Sequence, residues 1–167
     1  MTKAEYYISK LELIQHPEGG YFKEVYRSDE SLEENSLPIR YGSSRNFSTS
    51  IYFLLNGNQF SSFHKLKSDE IWHHYDGCSI TIYLIDASGK LELKVLGKDL
   101  EKEQSFQITI PKGSWFAAKP DDENSFSLIG CTVAPGFEFN DFELGKREEL
   151  ISLFPLYRKL IVDFTNE

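Results

Sequence analysis

A series of short apolar segments, each separated from the next by turn residues, is the feature that most constrains this fold. The series begins at Thr49 and continues to about residue 142. The turn signals between the segments are Asn56-Gly57, Asp76-Gly77, Ser88-Gly89, Lys112-Gly113 and the PDDEN stretch that starts at Pro120. Regularly spaced short strands with few helical patterns between them are typical of antiparallel sandwiches and barrels. We therefore predict an all-β fold.

The residues before this series predict one helix and one strand. Thr2 and Glu5 have the spacing of a capping box, and apolar residues recur at helical spacing, so we predict a helix that runs to about Gln15. After the chain-breaking pair Gly19-Gly20, an aromatic and β-branched run from Tyr21 to Tyr26 predicts a strand.

Two further segments are predicted to lie outside the sheets. The polar residues 28–48 have the composition of a long loop, either an exposed connector or a lid. Near the end of the chain the apolar residues change to helical spacing, interrupted by Pro155, so we expect two short C-terminal helices at about residues 145–165. We predict a single domain over residues 1–167, with its core at about residues 18–143.

The composition limits the partners and the compartment. The 167 residues carry 18 Lys and Arg against 26 Asp and Glu, a net charge of -8, which disfavours nucleic acid and anionic membrane surfaces as partners. The N-terminal sequence lacks the apolar segment and the cleavage site of a signal peptide. The two cysteines, Cys78 and Cys131, are too few for a disulfide scaffold. We expect a soluble cytoplasmic protein with reduced thiols.

The strongest chemical signal lies in residues 60–77, which hold three of the four histidines. Among them, His64 precedes Glu70 by six positions. If the flanking residues form an antiparallel pair of strands, the two side chains come close together. A neutral imidazole next to a carboxylate suits a metal ion or proton transfer. We therefore predict a site built on His64 and Glu70.

The same residues carry a resemblance to a known fold family. FHKLKSDEIWHHYDG resembles the first cupin motif, which His64, Glu70 and Gly77 match in register. PKGSWF resembles the second cupin motif. Leu66 and Phe116 stand at the positions of two metal-binding histidines in that family. Two of the four usual ligands are therefore absent.

Five longer segments, in the right order, are similar to the cupin subfamily known as DUF985 or Cupin_5. These segments are HPEGGYFKEVYRS, SIYFLL, SDEIWH, IPKGSWFAA and GCTVAPGFEFNDFELG. The resemblance implies a double-stranded β-helix, the cupin jelly-roll barrel, related to sugar-nucleotide epimerases and seed-storage proteins. It also implies a homodimer, for which we expect strand exchange through HPEGGYFKEVY. It implies no established reaction.

The relationship to sugar-nucleotide epimerases implies acid/base chemistry without a metal. In this hypothesis His64, oriented by a carboxylate, removes a proton next to a carbonyl group. Tyr52, Tyr75 or Tyr83 then returns a proton. The substrate would be a small molecule of the sugar or nucleotide-sugar type, and the reaction an epimerisation or isomerisation.

Further residues are predicted to bind the ligand. Strand alternation with Glu70 selects His74, whereas the resemblance selects His73, and a bulge would reconcile the two. The other predicted ligand-binding residues are Trp72, Trp115, Phe116 and Glu24. Aromatic residues in such a fold usually belong to the core, but Trp115 next to a glycine could stack on a sugar or a base.

Four polar or sulfur-bearing residues are assigned more ordinary roles. Glu24 and Arg27 alternate to opposite faces of their strand, so only one of them reaches the pocket unless the strand contains a bulge. His16 is predicted to make a local hydrogen bond in a loop. Cys131 lies in an apolar strand and is predicted to be a small core residue.

Two other functions are compatible with the same residues. In a metal-dependent cupin, His64, Glu70 and His73 would bind Fe(II), Mn(II) or Zn, although Leu66 and Phe116 argue against it. In a non-catalytic module, the pocket would only sense or store a polar ligand. The sequence therefore leaves the cofactor unknown, with no cofactor or a divalent metal as the alternatives, and does not decide between an enzyme and a binding protein.

Overall fold

The structure, a computed structural model, describes residues 1–166, so Glu167, the last residue of the predicted domain, lies outside the described residues. Its strands are β1 (Ile14–Gln15), β2 (Tyr21–Arg27), β3 (Ser31–Leu32), β4 (Arg45–Asn46), β5 (Thr49–Asn56), β6 (Ser61–Leu66), β7 (Glu70–Gly77), β8 (Ile80–Ile85), β9 (Leu91–Leu96), β10 (Gln107–Ile110), β11 (Trp115–Pro120), β12 (Phe126–Val133) and β13 (Phe142–Leu144). Its helices are α1 (Lys3–Lys10), α2 (Arg147–Leu153) and α3 (Arg158–Asp163).

Two large antiparallel sheets enclose the core. One contains six strands in the order β1-β2-β5-β12-β7-β10, and the other contains five in the order β13-β6-β11-β8-β9. The consecutive strands β5, β6, β7 and β8 alternate between the two sheets, which is the winding of a jelly-roll barrel. The prediction of an all-β double-stranded β-helix with short helices at both ends is confirmed.

The main core lies between the two sheets. Its largest fully buried side chains include Phe53, Trp72 and Phe116. Inward residues of both sheets contribute, as expected when every second residue of a strand points to the same face. Phe53 and Trp72 also line a cavity, so the cavity begins where this core ends.

The helices cover the outer faces of the sheets. Ile161 and Phe164 near the C-terminus are buried against Phe63 of β6, and Phe164 stacks edge-on against it. The predicted capping box of Thr2 and Glu5 is present at the start of α1. The predicted end of that helix at Gln15 is wrong. The chain turns after Leu11 because Glu12 adopts a positive φ of 55°, and the following residues pair with β2.

Two expectations about connections need correction. Strands β6 and β7 do not form a hairpin, because residues 67–69 carry the chain from the five-stranded to the six-stranded sheet. Residues 28–48 are not entirely irregular, since β3 pairs with β4. Buried Arg45 of β4 also binds Asp141, with Nε to Oδ2 at 2.6 Å, which fixes this segment to the chain before β13. Within residues 1–166, no helix has both the length and the apolar character needed to cross a membrane.

Candidate functional site

One end of the barrel contains a cavity lined by side chains from both sheets. It encloses about 690 Å³ of atom-free space, part of which lies in its solvent-facing mouth. Its polar lining consists mainly of carboxyl and imidazole groups, and its apolar lining is rich in aromatic rings. The segment 137–142, between β12 and β13, covers one side of the mouth.

Glu18 and His64 form a hydrogen-bonded pair deep in the cavity. Glu18 Oε2 lies 3.1 Å from His64 Nε2, and both side chains are buried. The hydroxyl of Ser61 donates to Glu18 Oε1 at 2.9 Å. His64 Nδ1 lies 2.7 Å from the carbonyl oxygen of Ser62, so this nitrogen carries a hydrogen. The Nε2 lone pair therefore faces the carboxyl group of Glu18.

Burial keeps this pair neutral and gives it one shared proton. The pKa of His64 is lowered to about 3 by burial, which disfavours the imidazolium. The pKa of Glu18 is raised well above its usual value, first by burial and then by the nearby carboxyl group of Glu70. A protonated Glu18 thus donates to a neutral His64. This proton lies in the hydrogen bond between Glu18 Oε2 and His64 Nε2, on the side of Glu18.

A glycine turn and a β-bulge bring the pair together. Gly19 adopts a φ of 115°, and a side chain there would collide with the carbonyl oxygen of Phe60. The carbonyl group of Glu18 accepts from Ser62 N at 2.8 Å, which anchors the turn to β6. In β6 the register with β11 shifts by one residue between Ser61 and His64. This bulge places the Ser61 hydroxyl and the His64 ring around the same carboxyl group.

Glu70 and Trp72 form the second polar group of the cavity. They lie two residues apart on the inward face of β7, and 7% and 1% of their surfaces are exposed. Glu70 Oε2 and Trp72 Nε1 are buried and have no hydrogen-bond partner among the described residues. Burial raises the pKa of Glu70 to about 7, and weak hydrogen bonding from Trp72 and Cys131, with geometry poorer than that of a regular hydrogen bond, offsets part of this rise. At neutral pH Glu70 is therefore divided between the acid and the carboxylate.

Arg27 links β2 to the segment 137–142 at the mouth of the cavity through hydrogen bonds. Its guanidinium forms two hydrogen bonds of 2.9 Å with Glu24 and one of 2.7 Å with Glu138. It also donates to the carbonyl oxygen of Phe137 at 3.0 Å. Glu24 and Arg27 both line the cavity because the register between β2 and β5 shifts at Val25. In a regular strand Glu24 and Arg27 would point to opposite faces. The bulge at Val25 places both in the pocket, as the prediction allowed for a strand with a bulge.

His16 contacts both Glu18 and the aromatic side chains of the cavity. Its Nδ1 accepts from the backbone N of Glu18 at 3.2 Å and lies 3.6 Å from Glu18 Oε2. Its ring packs edge-on against Phe22 at 4.6 Å and lies parallel to Phe139 at 6.3 Å. Burial lowers the pKa of His16 to about 4, so this histidine is neutral as well. It makes the predicted local hydrogen bond, but it also lines the cavity.

Comparison with known proteins places the chain in a family. The family model described as Cupin superfamily (DUF985) matches residues 5–145. The chain belongs to the cupin superfamily, family DUF985. Among curated proteins, this cupin is 33% identical over 153 residues to the uncharacterized protein YML079W of Saccharomyces cerevisiae, covering 85% of this chain and 75% of the relative.

Solved structures agree with this assignment. Protein SO0799 of Shewanella oneidensis has a TM-score of 0.89 and 37% identity over 99% of both chains. A hypothetical protein from Leishmania major has a TM-score of 0.89 and 30% identity over 99% of this chain and 100% of its own. Oxalate decarboxylase from Bacillus subtilis has a TM-score of 0.55 and 16% identity over 90% of this chain and 36% of its own, a likeness of fold alone.

The tyrosines predicted to return a proton lie outside the cavity of this cupin. Tyr52 packs edge-on against Tyr75 at 6.0 Å, on the outer side of the six-stranded sheet. Tyr83 packs against Phe164 below the C-terminal helices. Strand alternation explains both positions, because inward neighbours such as Phe53 occupy the other face. Among the described residues, the cavity lining contains no tyrosine.

Neither of the adjacent histidines lines the cavity. His73 is half-buried in the sheet, between Gln107 of β10 and Gly130 of β12. His74 shares the alternation of Glu70, but its Nε2 lies 2.9 Å from the carbonyl oxygen of Cys78. The bulge in β7 follows His74 rather than preceding it, so it does not turn either ring inward. The predicted ligand-binding role of both residues is therefore corrected.

The other predicted ligand-binding residues do not all lie on the cavity side of their strands. Glu24 and Trp72 line the cavity. Trp115 points outward, where Lys65 Nζ lies 4.4 Å from the centre of its ring, so it offers no stacking face to a ligand. Phe116 is buried behind the site, with its ring 4.0 Å from that of His64. It supports the imidazole without lining the cavity.

The donor set does not fit a metal ion. The predicted ligands His64, Glu70 and His73 do not converge, because His73 lies outside the cavity and both nitrogens of His64 already have partners. Leu66 lines the cavity at the position of a family ligand. Within the described part of the chain, no three His, Cys, Asp or Glu side chains are arranged to hold a metal.

The sequence prediction missed Glu18 and the segment 137–142. The sequence does contain a signal for Glu18, because this residue lies in the HPEGG stretch that carries part of the family resemblance. A carboxyl group directly before two glycines can be held in a fixed position by the turn they form. The role of the segment 137–142 depends on how the chain crosses the barrel mouth, which no local pattern indicates.

Proposed function

We propose that this cupin binds a small molecule of the sugar or nucleotide-sugar type and catalyses proton transfer at a carbon next to a carbonyl group. The observation that carries the proposal is the buried carboxyl group of Glu70, which faces the cavity and has an unpaired oxygen. Buried polar atoms are normally hydrogen-bonded, so a bound molecule is the natural partner for this group.

Two proton-transfer groups of different character support the acid/base hypothesis. The Glu70 carboxylate would remove the proton from carbon, leaving an enediolate. The Glu18–His64 pair would give its proton to the opposite face of that carbon or, when the hydroxyl proton passes to the other oxygen, to the neighbouring carbon. Glu70 would then release the abstracted proton to solvent and the pair would take one up, which restores both groups. Glu70 thus takes the role of the base predicted for His64, because its pKa of about 7 suits general acid/base catalysis at neutral pH, and the Glu18–His64 pair takes the role predicted for the tyrosines. The product is then an epimer or an isomer of the substrate.

Hydrogen exchange with solvent tests this proposal. Purified protein is incubated in deuterated water with a panel of keto-sugars and nucleotide sugars, and deuterium at carbon is measured by NMR. We expect incorporation with the native protein and a loss of about 100-fold or more in Glu70→Gln. Glu143→Gln removes an exposed carboxyl group outside the cavity and serves as the control. Binding of a panel member without any incorporation would contradict the proposal.

A non-catalytic binding protein is the second candidate. It is favoured by His64, because both of its ring nitrogens are already engaged, by Ser62 and Glu18. A base that acts on a ligand needs a free lone pair. His64 Nε2 has its lone pair directed at the Glu18 proton, so it is free only after that proton has moved away. The exchange experiment separates the two candidates, because a binding protein retains its ligand and leaves the deuterium content of its carbon atoms unchanged.

A further inference from the structure

The charges around the cavity are unbalanced. Four carboxyl groups line it, those of Glu18, Glu24, Glu70 and Glu138, of which Glu18 is protonated and carries no charge. Arg27 is the one lysine or arginine in the lining formed by the described residues. Both lining histidines are neutral, since burial lowers the pKa of His16 to about 4 and that of His64 to about 3. The cavity therefore has no excess positive charge to offer a ligand.

Arg27 is also fully occupied. Its Nε and one Nη bind the two oxygens of Glu24, and the same Nη binds the carbonyl oxygen of Phe137. The other Nη binds Glu138 and Asn46 at 2.7 and 2.9 Å. A guanidinium has five N–H donors, and all five are used here. A phosphate or carboxylate ligand would have to break these bonds before Arg27 could bind it.

Much of the remaining lining is aromatic. Phe22, Phe53, Phe137, Phe139 and Phe142 contribute rings to the lining. The negative faces of aromatic rings attract cations and gain nothing from anions. Carboxylates combined with ring faces are the surroundings that bind ammonium groups in proteins.

We infer that the ligand of this cavity carries a protonated amino group, which binds at Glu70, together with an oxygen that accepts from the indole N–H of Trp72. An amino sugar or a related small amino alcohol has both groups, whereas a phosphate-bearing sugar nucleotide does not fit. The inference rests on the proposed function, which it narrows from sugars in general to amino sugars. It makes use of the two buried atoms, Glu70 Oε2 and Trp72 Nε1, that have no regular hydrogen-bond partner within residues 1–166.

Matched ligands test the charge preference directly. D-Glucosamine, D-galactosamine, D-mannosamine and ethanolamine are each compared with their N-acetyl derivative and their phosphate ester, by calorimetric titration near neutral pH. We expect at least one amine to bind one site per chain, about tenfold or more tightly than its two derivatives. The inference is overturned if an uncharged or phosphorylated member binds as well as its amine, or if no amine binds at millimolar concentration.

Variants locate the binding group. Glu70→Gln keeps the size of the side chain but removes its charge, so we expect it to lose the preference for amines. Glu143→Gln, outside the cavity, should retain it. Trp72→Phe removes the indole N–H together with part of the ring, so it should weaken amino alcohols several-fold more than cyclohexylamine, which has no oxygen to accept from that N–H. Unchanged amine binding in folded Glu70→Gln would contradict the assignment.

Failure of this inference can be told apart from failure of the proposed function. Amine binding that depends on Glu70 without deuterium incorporation into any bound compound supports the inference and contradicts acid/base catalysis. Deuterium incorporation into uncharged or phosphorylated sugars, with no preference for amines, supports catalysis and overturns the inference.

Discussion

The Glu70 carboxyl group links the chemistry of the site to the stability of the protein. Its pKa rises from 4.5 to about 7 on folding because the group is buried. Between these values the folded protein holds a proton that the unfolded chain releases. The free energy of unfolding falls as pH increases wherever the folded state binds more protons. Glu70 therefore destabilises the fold progressively from about pH 4.5 to about pH 7, and fully above that range.

Glu70→Gln should remove this dependence. We predict similar stability of variant and native protein below about pH 4.5, and a variant more stable by up to about 3 kcal/mol above about pH 8, because each pKa unit corresponds to about 1.4 kcal/mol. Urea denaturation over a range of pH measures the difference. A difference between the two proteins that does not change with pH would contradict the prediction.

The match to the cupin motif predicted two residues of this site correctly. His64 and Glu70 were chosen from motif register, and the structure places both in the cavity. Their relationship was not predictable from spacing, because the partner of His64 is Glu18, which lies 46 positions earlier in the chain. A contact of that range depends on how two sheets face each other. Local alternation contains no information about it.

The turn between Glu18 and β2 controls the geometry of the site at the level of secondary structure. Gly19 has a positive φ, and a Cβ there would lie 2.2 Å from the backbone oxygen of Phe60. Gly113 also has a positive φ of 76°, but nothing lies within 4 Å of the position of its Cβ. A side chain at Gly113 would cause backbone strain alone, whereas one at Gly19 would cause backbone strain and a steric collision.

Alanine at these glycines should have unequal effects. We predict that Gly113→Ala costs about 1 kcal/mol, the price of a left-handed conformation for a residue with a side chain. Gly19→Ala should cost at least about 2 kcal/mol more, because the turn must also move away from β6. It should weaken ligand binding as well, since Glu18 moves with the turn. Thermal unfolding of both variants measures this, and equal losses would contradict the account.

Bulges explain why the strands were predicted better than their faces. The spacing of turns and apolar runs correctly predicted an antiparallel all-β sandwich or barrel, and the family resemblance correctly implied the jelly-roll barrel. One extra residue in β6 brings the Ser61 hydroxyl to Glu18, and another in β2 lets Arg27 line the cavity together with Glu24. A bulge reverses the alternation after it, and its sequence signal is weak. The prediction that Glu24 and Arg27 point to opposite faces, which relied on strict alternation, is the one that the bulge in β2 changes.

The sheet order leaves an edge available for association between whole molecules. Strand β1 lies at the edge of the six-stranded sheet, and Ile14 in it is 63% exposed. Val25 and Tyr26 at the end of β2 are about half exposed. An apolar sheet edge with free backbone groups is suited to pairing with another strand. The homodimer implied by the family resemblance stays a prediction, with this edge as its interface.

Mass measurement tests the predicted dimer. We expect sedimentation equilibrium to give twice the mass of one chain, and Ile14→Glu to shift the protein towards monomer by placing a charge in the apolar interface. Leu153→Glu is the control, because Leu153 is similarly exposed, at 62%, but lies in α2. A single-chain mass for the native protein at micromolar concentration would contradict the prediction.

The account as a whole depends on Glu70 being a group that gains and loses a proton near neutral pH inside the cavity. The most direct measurement is a ¹³C NMR titration of the glutamate side-chain carboxyl groups in native protein and in Glu70→Gln. We predict a carboxyl resonance that titrates near pH 7 in the native protein and is absent from the variant. Identical titrations in both proteins, with no carboxyl group titrating near neutral pH, would contradict the account.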